Sequence, residues 1–572
     1  MPLQVSVRRV SRRVLGKPCA PFRAVFAAFA TRCFPLLYFL FATVAPCAIA
    51  QQDPAIQLRQ EMQQRQRQEE VQAAPALPKP AVQPALAARP EDVAEPMPVL
   101  RSPAINIKAN DLLGDSQIES LIAPYQRLDI GQQRISLLLR QLNAQLVTQG
   151  LVTSRATVVG VDPGANVLNI ELLPGRIDAY TAGNQPLETG VQNAFPGQPS
   201  DLLVLQDIEQ GVQQIQRLRR YQAEVRILPG QSSTTSLVDL LLTETKFSWL
   251  QLALDNQGAK ATGRERTRAS LSLDNTLGLL DNVGLTYLRS SRSEVGVAAL
   301  AIPFGYNTWS ASYAASRYRQ DLPADLKERG GSSTATVAWN RVMHLSAAGR
   351  DMAELSLTSS DSWRKIDGIR LTPDQLAVVK AAFTGLRQGD GWRAWGELSA
   401  SRGVPWLGAT DDSDGLASAD PHAQFTKFEA HAGLIYAPSA DVGQYVGQLD
   451  AQTSRVGLYG TEQFRLGGMS TVRGFDEGAA FGDRGFVFRH EWRIKPSLLA
   501  VIDTQATPLV FVDHGSSRLV GGPTARLASA GAGMRFVARR WSADLLVARP
   551  IDHSSAMTDS RWHLHASLRI DL

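Results

Sequence analysis

The last eleven residues alternate with a polarity that few folds accept. Trp562, Leu564, Ala566, Leu568, Ile570 and Leu572 interleave with His563, His565, Ser567, Arg569 and Asp571, the period of two that sends successive side chains to opposite faces of a strand. One face is greasy and the other is charged. A soluble β-sandwich or solenoid tolerates alternation, but it does not account for a final strand whose wet face is so charged. Lipid outside and water inside accounts for it. In hydrocarbon every backbone group needs an internal partner, so a spanning sheet must close on itself, with its polarity inverted relative to a soluble core. The texture recurs upstream, beginning where Leu250, Leu252 and Leu254 alternate with Gln251, Ala253 and Asp255. At roughly 20 residues per strand plus connection, residues 246–572 hold about 16 antiparallel strands, an even number as such barrels require. All ten tryptophans, Trp249 to Trp562, fall in this span, where aromatic belts at the two bilayer interfaces use them. The segment from Leu371 to Leu386 lacks clean alternation and reads as an ordered extracellular loop or an irregular strand.

The N-terminus reads as an export signal over residues 1–50. Arg8, Arg9, Arg12, Arg13, Lys17, Arg23 and Arg32 precede an apolar run from Phe34 to Ala45, closed by Ala48, Ile49, Ala50 and Gln51. A charged region, about a dozen apolar residues and an A-x-A site make a signal peptide cleaved between Ala50 and Gln51. A spanning helix needs about 20 apolar residues, and Pro35 and Pro46 bracket too short a span. Pro46 before Cys47 disfavours a lipoprotein. Residues 51–72 are rich in Gln, Glu and Arg with almost no apolar face, so a helix here stands free or sits in a polar cavity. Residues 73–100 are a Pro/Ala-rich, extended linker.

Two modules of one grammar follow, over 101–175 and 176–245. In the first, Ile105 and Ile107 alternate as a strand, and Ile118, Leu121 and Ile122 mark a short helix. Ile135, Leu138, Leu139, Leu142 and Leu146 then share a helical face that Gly150 stops. Strands Ala156 to Val161 and Leu168 to Leu172 complete β-α-α-β-β. The second repeats the plan with a stripe of Leu205, Ile208, Val212, Ile215 and Leu218, then strands Ala223 to Leu228 and Leu237 to Leu242. Small α+β units of this kind leave sheet edges free, which suits capture of an extended chain by strand addition.

Two motifs stand out: Gly467-Gly468-Met469-Ser470-Thr471-Val472-Arg473-Gly474-Phe475, running on to Gly482-Asp483-Arg484-Gly485, and Phe511-Val512-Asp513-His514-Gly515. With them the chain resembles a two-partner secretion transporter (TpsB), the haemolysin/haemagglutinin secretion-activation family of outer-membrane pores, built of POTRA modules plus a β-barrel within the wider outer-membrane assembly superfamily. The resemblance implies export, and possible activation, of a large haemagglutinin- or haemolysin-like exoprotein from periplasm to cell surface, captured through the POTRA modules. It implies insertion by the barrel assembly machinery into outer-membrane lipids of a Gram-negative bacterium. It also implies that the 51–72 helix plugs the barrel, and that the loop bearing Val472, Arg473, Gly474 and Phe475 folds into the pore. There Arg473 is to meet Asp513 on a wall strand carrying Phe511 and Gly515. The residues agree: Leu509, Phe511 and Asp513 share one strand face, and glycines around Arg473 allow a tight loop tip. Family members usually finish on an aromatic residue, where this chain has Leu572.

Other chemistries find little support. The +5 balance of 59 basic and 54 acidic residues owes seven cations to residues 1–50, leaving 52 against 54, so there is no basic stripe for nucleic acid. Cys19, Cys33 and Cys47 fall in the same segment, leaving the exported chain without disulfides or thiolate metal sites. Asp411-Asp412-Ser413-Asp414-Gly415 fails the EF-hand spacing and is a polar loop. His563 and His565 share a face without a third ligand, so no metal and no cofactor is expected. No nucleophile elbow, P-loop or His-Glu-x-x-His run occurs, and the chain does not read as an enzyme. The competing readings are an outer-membrane protein insertase of the same superfamily and a diffusion porin with periplasmic modules.

Overall fold

The computed structural model describes residues 53–55, 57, 58, 61 and 62, then 89–572 except 98, 184, 347, 440–441, 500–502 and 555–560. The expected signal peptide with its Ala50/Gln51 cleavage point, and residues 73–88 of the expected linker, lie outside the described residues.

In the first module, strand Ala104–Lys108 runs parallel to Val167–Leu173, which pairs antiparallel with Arg155–Asp162. Helices Asp115–Ile122 and Gln132–Thr148 cover the sheet, and Leu138, Leu142, Leu146, Leu168, Ile170 and Leu172 form its core. The longer helix ends at Gly150, whose φ of +85° few other residues adopt, with the Leu151 N–H bonded back to Leu146. The second module repeats the arrangement. Strand Arg176–Ala182 runs parallel to Thr235–Glu244, which pairs with Tyr221–Pro229, and helix Leu205–Gln216 packs on the sheet. The order of elements along the chain is as the hydrophobic periods predict.

After Glu244 sixteen antiparallel strands close into a barrel, from Ser248–Asp255 to His563–Asp571. The closing strand behaves as its alternation requires: Trp562, Leu564, Leu568 and Ile570 face outward and are exposed, and His565 is buried in the lumen. The seam with the first strand has five register pairs, Ser567 opposite Asp255 to Asp571 opposite Gln251. Where main-chain pairing stops, the Asn256 amide continues it, donating to Leu564 O and accepting from Ala566 N. Leu572 N donates to Leu250 O, so the non-aromatic last residue still pairs through its backbone.

The irregular segment is a strand, Asp374–Gly389. Leu376, Ala377 and Val378 are all buried, because both faces are covered at that end: Phe425 and Leu458 from the connecting loops pack on Val378, and Thr410 N donates to Gln375 O. Alternation fails where loops replace lipid and water.

The second module is docked on the barrel's near rim. Gln210 and Gln214 amides donate to Gly305 O, Gly305 N donates to Asn193 O, and the Tyr306 hydroxyl donates to Asp207 at 2.6 Å. Leu280, from the turn joining the second and third strands, is part of that module's own core.

Candidate functional site in the barrel lumen

Between strands Gly443–Ser454 and Arg484–Arg493 the chain turns back into the barrel as a hairpin, Phe464–Leu466 against Ala480–Gly482. Its tip is made of glycine-dependent turns: Gly467 and Gly468 both have φ near +100° (101° and 102°). The base is tied down by buried Asp483, which accepts from Leu458 N at 2.9 Å and from Val520 N at 2.8 Å.

Arg473, at the tip, is 1% exposed. Its guanidinium takes the Asp513 carboxylate as a fork, Nε to Oδ2 at 2.8 Å and Nη2 to Oδ1 at 2.7 Å, while Nη1 donates to Glu491 at 2.6 Å. Its main-chain N–H donates to Asp513 as well, at 3.1 Å. Its carbonyl oxygen accepts from His565 Nε2 at 2.6 Å, since a carbonyl has no proton to give. The guanidinium plane lies over the Phe511 ring, 3.6 Å from Cζ to the centroid. Bidentate pairing with a carboxylate fixes orientation as well as position.

Register assembles this pocket. Arg489 lies opposite Asp513 and Glu491 opposite Phe511, while Asp513 in turn lies opposite Ser529. All point inward, and Val510 and Val512 on the alternate face are exposed to lipid. A Cβ on Gly531 would strike the Phe511 ring, so that glycine makes room for it. The strand Trp541–His553 bulges opposite Ala528 and Ser529, and Gly474 lies so close to Ser529 and to the Arg549–Pro550 backbone that a side chain there would clash. Gly474 N donates to Ser529 Oγ at 3.1 Å. Bulges beside sites re-aim the chain in this manner. Val472 and Phe475 flank the arginine in an apolar cluster with Leu466, Val487 and Leu527. Gly515 completes the wall: a Cβ there would stand 2.5 Å from Phe486 O and 2.8 Å from Leu466 Cδ1.

Sequence reasoning paired Arg473 with Asp513 and missed Glu491, Ser529 and His565. Glu491 carried a signal in Arg489-x-Glu491-x-Arg493, three alternating charges on one strand face, and Arg493 Nε bonds Glu491 at 2.7 Å. His565, weighed as a metal ligand, is occupied by the Arg473 carbonyl.

A neighbouring sector of the lumen, across the closing seam, holds the N-terminal helix, of which Pro54, Ala55, Gln57, Leu58, Glu61 and Met62 are described. The little apolar face expected of this helix turns out to matter. Ala55, Leu58 and Met62 fall at helical spacing and pack on Leu288, Val295 and Val297 of the inner wall. Three residues make a stripe too narrow to read in a Gln-rich run, but wide enough to seat a helix whose other contacts are polar. Asp53 Oδ1 accepts both the Ala55 N–H and the Ser316 hydroxyl. Glu61 is held by Arg266 and Arg268, each at 2.7 Å, and Arg266 also pairs with Asp255 at 2.7 Å.

A closed sixteen-stranded barrel with two α+β modules and an arginine-tipped loop in its lumen defines a class of outer-membrane transporters. Residues 234–536 match the family of haemolysin secretion/activation proteins ShlB/FhaC/HecB, residues 102–175 match the ShlB-type POTRA domain, and 176–229 a POTRA domain. The chain is 32% identical to the outer membrane transporter CdiB of Dickeya dadantii (strain 3937), over 72% of this chain and 75% of that protein. It is 28% identical to the hemolysin transporter protein ShlB of Serratia marcescens, over 68% and 70%. The solved structure of CdiB from Escherichia coli superposes with a TM-score of 0.81 at 23% identity, covering 92% of this chain and all of that one; it shares the fold. The protein belongs to the haemolysin secretion/activation family. It is an outer-membrane translocator of two-partner secretion, with its POTRA domains in the periplasm.

Proposed function

We propose that this translocator exports one large haemagglutinin- or haemolysin-like exoprotein, and that the lumen as described is its resting state. The observation carrying this reading is Arg473, buried between Asp513 and Glu491 on a loop that stands in the pore alongside a seated helix. A chain threading the barrel must displace both. Free module edges support capture by strand addition: Val159 and Val161 on Arg155–Asp162, and Ile227 and Leu228 on Tyr221–Pro229, expose apolar side chains on outer strands of their sheets. Capture at the modules shifts the helix and the loop, the partner threads outward, and its folding outside supplies the bias without ATP or an ion gradient. In this reading residues 1–50 are a signal peptide cleaved after Ala50, 51–72 the plug, 73–100 a linker, 101–175 and 176–245 the capture modules and 246–572 the pore. The barrel assembly machinery inserts it, and no catalytic step or cofactor enters.

The test is secretion of a candidate exoprotein co-expressed with the transporter. Arg473→Ala should abolish secretion while the barrel still inserts and shows heat-modifiable migration. Full secretion by that variant refutes the gating role.

A further inference from the structure

The outward face near the cell-surface rim carries charges that transport does not use. The module-docked turns around residues 275–281 and 305–306 mark the periplasmic ends of the first strands, so Ser290 to Ser293 and Asp321 to Lys327 mark the opposite ends. On that side Arg289, Arg317, Arg319, Arg329 and Lys365 all point outward and are exposed. Register places them in a staggered row over adjacent strands: Arg289 opposite Glu294 and Glu294 opposite Arg317 at one level, then, two residues nearer the rim, Arg319 opposite Arg329 and Arg329 opposite Lys365. None of the four arginines is in an ion pair with a carboxylate among the described residues. The acids beside them offset the row only in part, Glu294 standing as one carboxylate among five cations. Glu294 accepts from the Tyr287 hydroxyl at 3.3 Å, and Asp321 is paired with Arg292 at 2.9 Å.

Directly toward the membrane on the same strands lies an apolar groove of about 470 Å³. Gly296, Ala298 and Ala315 form its floor, and Leu285, Tyr287 and Tyr313 stand along it. Tyr287 is two residues from Arg289, and Ala315 is two from Arg317, which sets the groove about 7 Å below the cations. Small residues in a lipid-facing band open a slot for a chain, and a row of arginines above it matches phosphate oxygens in the bidentate manner guanidinium favours. The row crosses four strand intervals, roughly 19 Å, too wide for one phosphate.

We propose that this face binds a bisphosphorylated, multiply acylated glycolipid of the outer leaflet, its phosphates on Arg289, Arg317, Arg319 and Arg329 and one acyl chain in the groove. The site stands apart from the lumen and does not depend on how the pore is gated.

The test uses the full-length transporter in nanodiscs, with binding of bisphosphoryl lipid A, monophosphoryl lipid A and phosphatidylglycerol followed by native mass spectrometry. The intact protein is expected to prefer the bisphosphorylated probe to phosphatidylglycerol by about tenfold or more. The variant R289Q/R317Q/R319Q/R329Q should lose that preference while keeping heat-modifiable migration. Ala298→Phe, which fills the groove and leaves the arginines alone, should weaken the acylated probes together. Equal binding of phosphatidylglycerol, which would make the row a generic anion patch, or an unchanged preference in the four-arginine variant, overturns the proposal.

Discussion

Gly515 sits two residues past Asp513 on the wall, and its missing side chain lets the loop lie against that wall. Leu466 Cδ1 and the Phe486 carbonyl occupy the space a Cβ would need. One is the tip of a side chain that can give way; the other is backbone and cannot. Gly515→Val is therefore expected to cost about 1–3 kcal/mol as overpacking, shared between the loop at Leu466 and the neighbouring strand at Phe486. Limited proteolysis of the folded protein should cut within residues 467–479 faster in the variant, with heat-modifiable migration unchanged. Equal protection would place the steric limit elsewhere. The arginine itself illustrates why a buried ion cluster specifies position more than it stabilises. Desolvation consumes much of the Coulomb gain, yet removal of one partner leaves an uncompensated charge at a cost of about 3–5 kcal/mol.

At the scale of elements, the lumen contains two obstructions held by different chemistry. The loop is covalently part of the wall on both sides and is fixed by Arg473. The helix rests on three apolar residues plus the Glu61 fork. Breaking that fork leaves Arg266 with Asp255 as a partner and strips the helix of its strongest contact. Glu61→Ala should therefore lower the helix's residence in the barrel by at least about tenfold, since 1.4 kcal/mol already does so. Planar-bilayer recordings should show a higher open fraction than the intact protein. An unchanged open fraction would mean that the apolar stripe alone seats the helix. The helix was legible in the sequence as a polar segment of strong helix formers, but its seat was not. Ala55, Leu58 and Met62 gain meaning only beside Leu288 and Val295, far along the chain, and nothing local distinguishes three scattered apolar residues from chance.

At the scale of the molecule, the second module and the barrel share a polar interface in which Asp207 is a weak point. Burial raises its carboxyl above the usual range, with the Tyr306 hydroxyl bond opposing that rise. A carboxyl raised in the docked state contributes stability that is complete below its free value and is lost as pH climbs through the docked value. Docking should thus weaken from acidic toward neutral pH. Asp207→Asn keeps an acceptor for Tyr306 and removes the ionisation, so it should flatten this dependence and strengthen docking at pH 7. Hydrogen exchange of helix Leu205–Gln216, corrected for intrinsic rates, measures it. Identical pH profiles for the two proteins would exclude Asp207 as the titrating group.

Composition and period alone determined that the C-terminal half forms a lipid-facing closed sheet, that two α+β modules precede it, and that Asp513 shares a strand face with Leu509 and Phe511; that this face looks inward was implied by the resemblance. Alternation reports which face a side chain takes, because a strand has only two. It does not report which strand lies opposite or in what register. Glu491 and His565 meet Arg473, and Ser529 meets Gly474, because three separate strands and a re-entrant loop converge there, and the strand near Leu376 loses its alternation where Phe425 and Leu458 from the loops cover Val378. Those meetings are set by long-range pairing and by buried charges that must find partners, and only the closed barrel brings them within bonding distance.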